Sequence, residues 1–335
     1  MVGANLASGA IQAVVAALLL TGNAQVWELA LLAFLGGASS AFFFPASAGI
    51  VPQTVPPELQ QQANAALRLG LNATNIVGAA LGGVLVAASS PGWAIAVDAA
   101  TFGLAAVAIA AMRLPPGLRM QGSTVVRELR EGWSDFWSRG WLWAIVLQFG
   151  IVNAFESGAL GVLGPQVARA HLGGPAAWGA VLTATSIGLV LSGMVMLRWR
   201  PRRILYVATL SVFPLALPLL ALARPAPLAV VAAAGFVAGA SVEIFGVLWD
   251  TAMQQEIPQE KLSRLSSYDA LGSWALMPLA LAVMGPLASA IGTRATLLAS
   301  SALVVGATLP VLLSGDVRHL ERRSASRAFA EDIAA

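Results

Sequence analysis

Residues 226–249, APLAVVAAAGFVAGASVEIFGVLW, contain one charged side chain, Glu243. A helix needs roughly 20 apolar residues to cross a hydrocarbon core, so this run is long enough to span a bilayer. Working outward, nine more stretches have the same character: 3–21, 26–48, 65–88, 92–112, 141–167, 175–196, 203–222, 266–290 and 292–314. Short loops separate them. The pattern predicts an all-α, polytopic membrane helix bundle of about ten transmembrane helices, because helices satisfy every backbone group in lipid.

Composition points the same way. With 58% hydrophobic and 10% charged residues among 335, the chain lacks the polar surface that a water-soluble domain of its size requires. The formal charge of +3 comes from arginines scattered through loops, which gives no basic face for nucleic acid. There is no cysteine, so disulfides, thiolate metal sites and thiol catalysis are excluded. His171 and His319 fall on opposite sides of the expected membrane and cannot share a metal ion. No phosphate-cradling glycine loop is followed by lysine and serine or threonine, and no nucleophile–base pair stands out. We therefore expect no enzyme activity, no cofactor, no metal and no nucleic-acid partner.

Arginine placement orients the spans. Arg169, Arg224 and Arg294 fall in loops on one side, and the other sixteen of nineteen basic residues fall on the opposite side or near it. By the positive-inside rule the richer side is cytoplasmic, which puts both termini inside and the protein in the plasma membrane. Residues 198–203, with Arg198, Arg200, Arg202 and Arg203, form a cytoplasmic basic loop. The longest loop, 113–140, divides the chain into a four-helix group, 1–112, and a six-helix group, 141–315, with a cytoplasmic tail at 316–335. Within that loop Val125, Leu129, Trp133 and Trp137 recur every fourth residue, so Ser123 to Ser138 is predicted to form an amphipathic helix resting on the membrane surface.

An internal repeat adds a second constraint. Val55-Pro56-Pro57-Glu58-Leu59 and Ile257-Pro258-Gln259-Glu260-Lys261-Leu262 stand about 200 residues apart, each at the inner end of a span. Such duplicated bundles are common in secondary transporters. The second turn comes about 115 residues after the fifth span begins, whereas the same distance before Val55 reaches about sixty residues upstream of Met1. On this reading the first group lacks counterparts of two helices.

Phe44-Pro45-Ala46-Ser47-Ala48, Val55-Pro56-Pro57-Glu58, Ala63-Asn64-Ala65, Gly78-Ala79-Ala80-Leu81-Gly82-Gly83 and Asp98-Ala99-Ala100-Thr101-Phe102 occur in an order that resembles the major facilitator superfamily. The resemblance is to its enterobactin-exporter-like and macrolide-efflux-like branch and runs to about residue 315. It implies that the ten spans are family helices three to twelve, and that the fifth and eighth line a central cavity. It further implies alternating-access export of a small amphipathic or hydrophobic compound, such as a drug, siderophore or secondary metabolite, with protons as the coupling ion; the sequence leaves the oligomeric state open, and a monomer is the expectation.

Polar residues at membrane depth are the candidate site. A buried charge is costly in a bilayer and normally faces a cavity or a partner. Glu156, with Asn153 and Gln148 nearby, lies in the fifth span, Glu243 in the eighth and Asp98 in the fourth. The resemblance makes Glu156 and Glu243 the candidates for taking up and releasing a proton, while Asp98 falls on a peripheral helix. A purely structural, hydrogen-bonded role stands as the alternative for each. Gly78 and Gly82, four residues apart, with Gly83 beside them, predict a face that another helix can approach closely for packing or gating. The alternative function is an N-terminally truncated, non-transporting remnant or a membrane partner subunit.

Overall fold

The computed structural model describes the backbone of residues 1–112, 125–224 and 226–321, with side chains except at 41, 42, 44–46 and 125–129. Sixteen α-helices follow one another in this region, with no strand among the described residues. They are α1 (Val2–Thr21), α2 (Val26–Ala48), α3 (Ile50–Thr54), α4 (Gln60–Ala88), α5 (Pro91–Ala110), α6 (Val125–Ser138), α7 (Gly140–Val152) and α8 (Gly158–Val167). There follow α9 (Pro175–Met196), α10 (Ile204–Leu210), α11 (Ala216–Ala223), α12 (Leu228–Glu256), α13 (Gln259–Trp274), α14 (Met277–Ile291), α15 (Thr293–Leu313) and α16 (Gly315–His319).

Among the described residues nine helical segments are long and apolar enough to cross a membrane. Four of them are composite, the first being Pro57–Ala88, in which a 3-10 turn at Pro57–Leu59 leads into α4. A π-type turn at Asn153–Ser157 joins α7 to α8, and a second at Ala168–Leu172 extends them into the span Gly140–Leu172. A 3-10 turn at Phe213–Leu215 joins α10 to α11, and α13 runs through a short break into α14. The remaining expected span is helical over Val26–Ala48, and its first part, Val26–Ser40, is apolar.

The first compact unit comprises Met1–Thr54 and Ala73–Gln121. In it α1 lies along α5, and glycines allow the approach: Gly9 faces Phe102 and the Ala99 carbonyl, and Gly92 faces Leu20. Gly22, at φ 70°, ends α1 in the left-handed conformation that glycine adopts without steric cost, returning two carbonyls of the last turn to hydrogen bonds. Gln25 and Glu28 then cap α2 reciprocally. Large apolar side chains such as Leu104 and Val107 are exposed, as surface in contact with lipid would be.

The second unit comprises Val55–Asn72 and Gly122–Ala335. Its tightest pair is α9 with α12, where Gly188 faces the Phe236 carbonyl and Gly239 faces the Thr185 carbonyl. Lipid supplies no hydrophobic drive between helices, so close backbone packing over small residues holds such a pair together. A similar contact sets Gly150 of α7 against the Gly272 carbonyl of α13.

The linker helix is described from Val125, and Ser123 lies outside the described residues. It also docks on protein: Gly132 meets Arg264 and Tyr268, Phe136 is buried, and Lys261 pairs with Asp135 at 2.8 Å. Trp133 and Trp137 remain half exposed. The periodic stripe identified the helix, but its partner α13 is too remote in sequence for the pattern to indicate.

Among the described residues, a Cβ added at Gly78, Gly82 or Gly83 of α4 would meet nothing within 4 Å.

Candidate functional site

The richest polar cluster lies in the second unit, where the N-terminal half of α4 meets α12. Pro56, extended at φ −64° and ψ 154°, opens a 3-10 turn at Pro57–Leu59 that runs straight into α4. Pro258, at φ −55° and ψ 142°, opens α13 in the same way. The two turns that repeat in sequence therefore repeat in conformation, and Gln255 donates a hydrogen bond to the Pro57 carbonyl at 3.2 Å.

From this start α4 presents a polar stripe, Gln61, Asn64, Arg68 and Asn72, spaced three, four and four residues apart and hence on one face. Each member finds a partner. Gln61 donates to the carbonyls of Met196 at 3.0 Å and Trp199 at 2.7 Å, closing the end of α9. Asn64 donates to Thr251 at 3.0 Å and to Gln254 at 2.9 Å. Arg68 donates through Nε to Asp250 at 2.9 Å, and Asn72 donates to Glu243 at 3.0 Å. Glu243, Gly246 and Asp250 are three and four residues apart on α12, and the Arg68 guanidinium lies over Gly246, where a Cβ would strike it. The cation thus sits between two carboxylates, one turn from each.

Glu243 is 1% exposed, and its Oε1 has no hydrogen-bond partner. An acceptor left unmade at such depth is costly, which marks a group with a further task. Asp269 of α13 lies nearby in the charge pattern, accepting hydrogen bonds from Trp249 Nε1 at 3.0 Å and from Ser273 at 3.1 Å. Stacked aromatic rings run beside it, Phe149 on Phe245 at 4.0 Å between centroids and Phe245 on Trp249 at 5.9 Å.

The other expected residues are dispersed. Glu156 lies in the π-type turn of the fifth span and accepts a hydrogen bond from Ser157 at 2.7 Å. Single π-type turns of this kind occur often at functional sites. Asn153, in the same turn, is buried and donates to the Ser273 carbonyl at 2.9 Å, and Gln148 is buried and donates to Thr308 at 3.0 Å. Asp98 is exposed in the first unit and accepts from Gln12 at 2.9 Å. Arg198, Arg200, Arg202 and Arg203 are exposed around buried Pro201, with the Gln62 amide facing the Arg200 guanidinium. The structure therefore brings Asn153 onto α13 and Glu243 onto α4, while Glu156 and Glu243 stand on different helices with different partners.

Sequence reasoning missed Arg68, Asp269 and Gln61. Arg68 had a readable signal, since the stripe from Gln61 to Asn72 repeats at helical spacing. In an apolar run that begins at residue 65, Arg68 reads as an ordinary inner-end arginine.

A helical membrane bundle that carries the Arg68–Asp250 ion pair and one buried, unpaired carboxylate oxygen, Glu243 Oε1, has the makings of a polytopic membrane transporter. The Major Facilitator Superfamily model matches residues 1–275, and the chain belongs to that family. It is 29% identical over 306 residues to the multidrug efflux pump Tap of Mycolicibacterium fortuitum, covering 87% of this chain and 71% of that protein. It is 22% identical over 328 residues to macrolide efflux protein A of Streptococcus pyogenes, covering 96% and 81%. A bacterial homologue of the iron transporter ferroportin, solved in an outward-facing state, superposes with a TM-score of 0.69 at 18% identity, covering 93% of this chain and 80% of that one. The transporter FucP in the outward conformation gives 0.66 at 15%, covering 92% and 81%. At these identities the two structures speak for the fold.

Proposed function

We propose that this chain exports a small amphipathic or hydrophobic compound from the cell by alternating access, driven by proton entry. The observation that carries the reading is Glu243, a carboxylate buried on a membrane span, with one oxygen unpartnered and a cation one helical turn away. A carboxylate in that setting can change charge as it takes up and releases a proton, and the change alters its attraction for Arg68. Glu156 in its π-type turn is the second proton-coupling candidate, with Asn153 and Gln148 beside it as cavity residues, and Asp98 is a structural acid. The relatives named as a multidrug efflux pump and a macrolide efflux protein support drug-like cargo.

The arginine pattern supports the membrane orientation in this reading. The chain is a monomer in the plasma membrane with both termini in the cytoplasm, organised as helix groups 1–112 and 141–315 around a cytoplasmic linker at 113–140, with a tail at 316–335. Proteoliposomes containing the purified chain provide the test. An imposed pH gradient should drive a fluorescent macrolide or amphipathic dye across the membrane, and the Glu243→Gln variant should not. Gradient-independent behaviour across a panel of such compounds would favour a non-transporting partner subunit.

A further inference from the structure

A second polar site lies on other helices, in a groove between α7 and α15. One wall is a single face of α7, through Trp143, Leu147 and Ile151, and the other is the end of α15, through Pro310 and Val311. The cavity measures about 380 Å³, within the roughly 300–1,000 Å³ that small-molecule sites occupy. Leu147 and Pro310 are exposed, which leaves the groove open on one side.

Two polar groups break the apolar lining. Gln148 is 2% exposed; its amide donates to Thr308 at 3.0 Å, but its Oε1 has no hydrogen-bond partner. Turning the amide over does not repair this, because the Thr308 hydroxyl gives its proton to the Val304 carbonyl at 2.7 Å and can only accept from Gln148. A buried acceptor left unpaired is costly, and a donor placed in the groove would satisfy it. At the other end Asp316 of α16 lies over Gly140, the first residue of α7, where any Cβ would strike its carboxylate. The N-terminal end of a helix favours a negative charge, which seats the carboxylate there. Asp316 is exposed and takes part in no ion pair among the described residues, and no basic side chain lines the groove.

Gly140 and Gln148 are eight residues apart, so the carboxylate and the free carbonyl mark points about 12 Å apart along α7 at ~1.5 Å per residue. Trp143, one turn from Gly140, adds an aromatic face of the kind that attracts an ammonium group. A bilayer lipid can offer an ammonium but has no donor on its tails, so it would leave Gln148 unpaired. An amphipathic amine with a hydroxyl or N–H at its far end answers both groups.

We propose that the groove between α7 and α15 is a binding site for such an amine, with the ammonium at Asp316, the apolar body along Leu147 and Val311, and the terminal donor on Gln148 Oε1. The site shares no residue with the cluster of Arg68, Glu243 and Asp250, and it stands whether or not export is driven by protons.

Because the chain has no cysteine, Ala307→Cys places a single thiol in the groove wall. In phosphatidylcholine nanodiscs, an ω-amino alcohol with a decyl chain should slow its reaction with a maleimide several-fold more than decylamine or decanol does at the same concentration in the membrane. Asp316→Asn should erase the advantage over decanol, and Gln148→Met the advantage over decylamine, each leaving the other intact. Asp316 is exposed, so its variant decides the matter should Gln148→Met fail to fold. Equal protection by the three compounds, or an advantage that survives both substitutions, would overturn the proposal. So would protection by phosphatidylethanolamine alone, which would give the groove to lipid, or a rate that rises when the chain is cut after Glu321, which would give it to the chain's own tail.

Discussion

Asn64 and Gln254 exchange two hydrogen bonds: the Asn64 amide donates to Gln254 Oε1 at 2.9 Å, and the Gln254 amide donates to Asn64 Oδ1 at 3.1 Å. The pair ties the start of α4 to the end of α12, and Asn64 adds a third bond to Thr251. Interhelical bonds of this type in membrane proteins contribute about 0.6–2 kcal/mol each. Asn64→Ala and Gln254→Ala should each lower stability by about 1 kcal/mol, with the double variant costing less than their sum. Thermal unfolding in detergent, read as a double-mutant cycle, checks this, and strict additivity would show the pair to be uncoupled.

Two glycines on different helices should respond in opposite ways to one added methyl group. At Gly239 a Cβ would meet the Thr185 backbone, which cannot rotate away, so Gly239→Ala should destabilise the α9–α12 pair by about 1–3 kcal/mol. At Gly78 it would meet nothing, so Gly78→Ala should be neutral or slightly stabilising through helix propensity. Equal losses in folded yield from both would show that a helix approaches Gly78 in a way this structure does not record.

The carboxylates can be ranked by one amide series. Glu243→Gln keeps size and the bond from Asn72 but removes titration, so gradient-driven export should fall at least tenfold with expression unchanged. Glu156→Gln should reduce it as much or less. Asp98→Asn, exposed and bonded to Gln12, should leave transport near normal. Transport rates in proteoliposomes at matched protein density give the order.

Orientation is open to impermeant thiol reagents. Single cysteines at Ser89 and Ala176 should react from outside intact cells, whereas Ser263→Cys should react only after the membrane is opened. The reverse pattern would invert the protein in the bilayer.

The apolar runs predicted the helices because length and hydropathy are local properties. What escaped was pairing. Asp250 is 182 residues from Arg68, and no local rule connects them. Helix α4 begins at Gln60, several residues before its apolar run, and that early start carries Arg68 away from the helix end and onto a face shared with Gln61, Asn64 and Asn72. The π-type turn around Glu156 was equally invisible, since Asn153–Ser157 continue an ordinary helical pattern in sequence. The approach of Gly239 to Thr185 depends on how α9 and α12 cross, whereas at Gly78 and Gly82, with the same spacing signal, an added Cβ would meet nothing within 4 Å among the described residues.

Lys261 is the only lysine in the sequence, and its ammonium pairs with Asp135 of the linker helix at 2.8 Å. Apart from the chain's own terminus, an acylating reagent therefore has one amine to find, and that amine is engaged wherever α6 is seated on α13. Acylation removes the charge that makes the pair, so a bound label also keeps the helix from re-forming this contact. A single mass increment on the peptide around Lys261, followed over time, would report how far the Asp135 contact slows acylation of that amine in a native membrane, with no substitution anywhere in the protein.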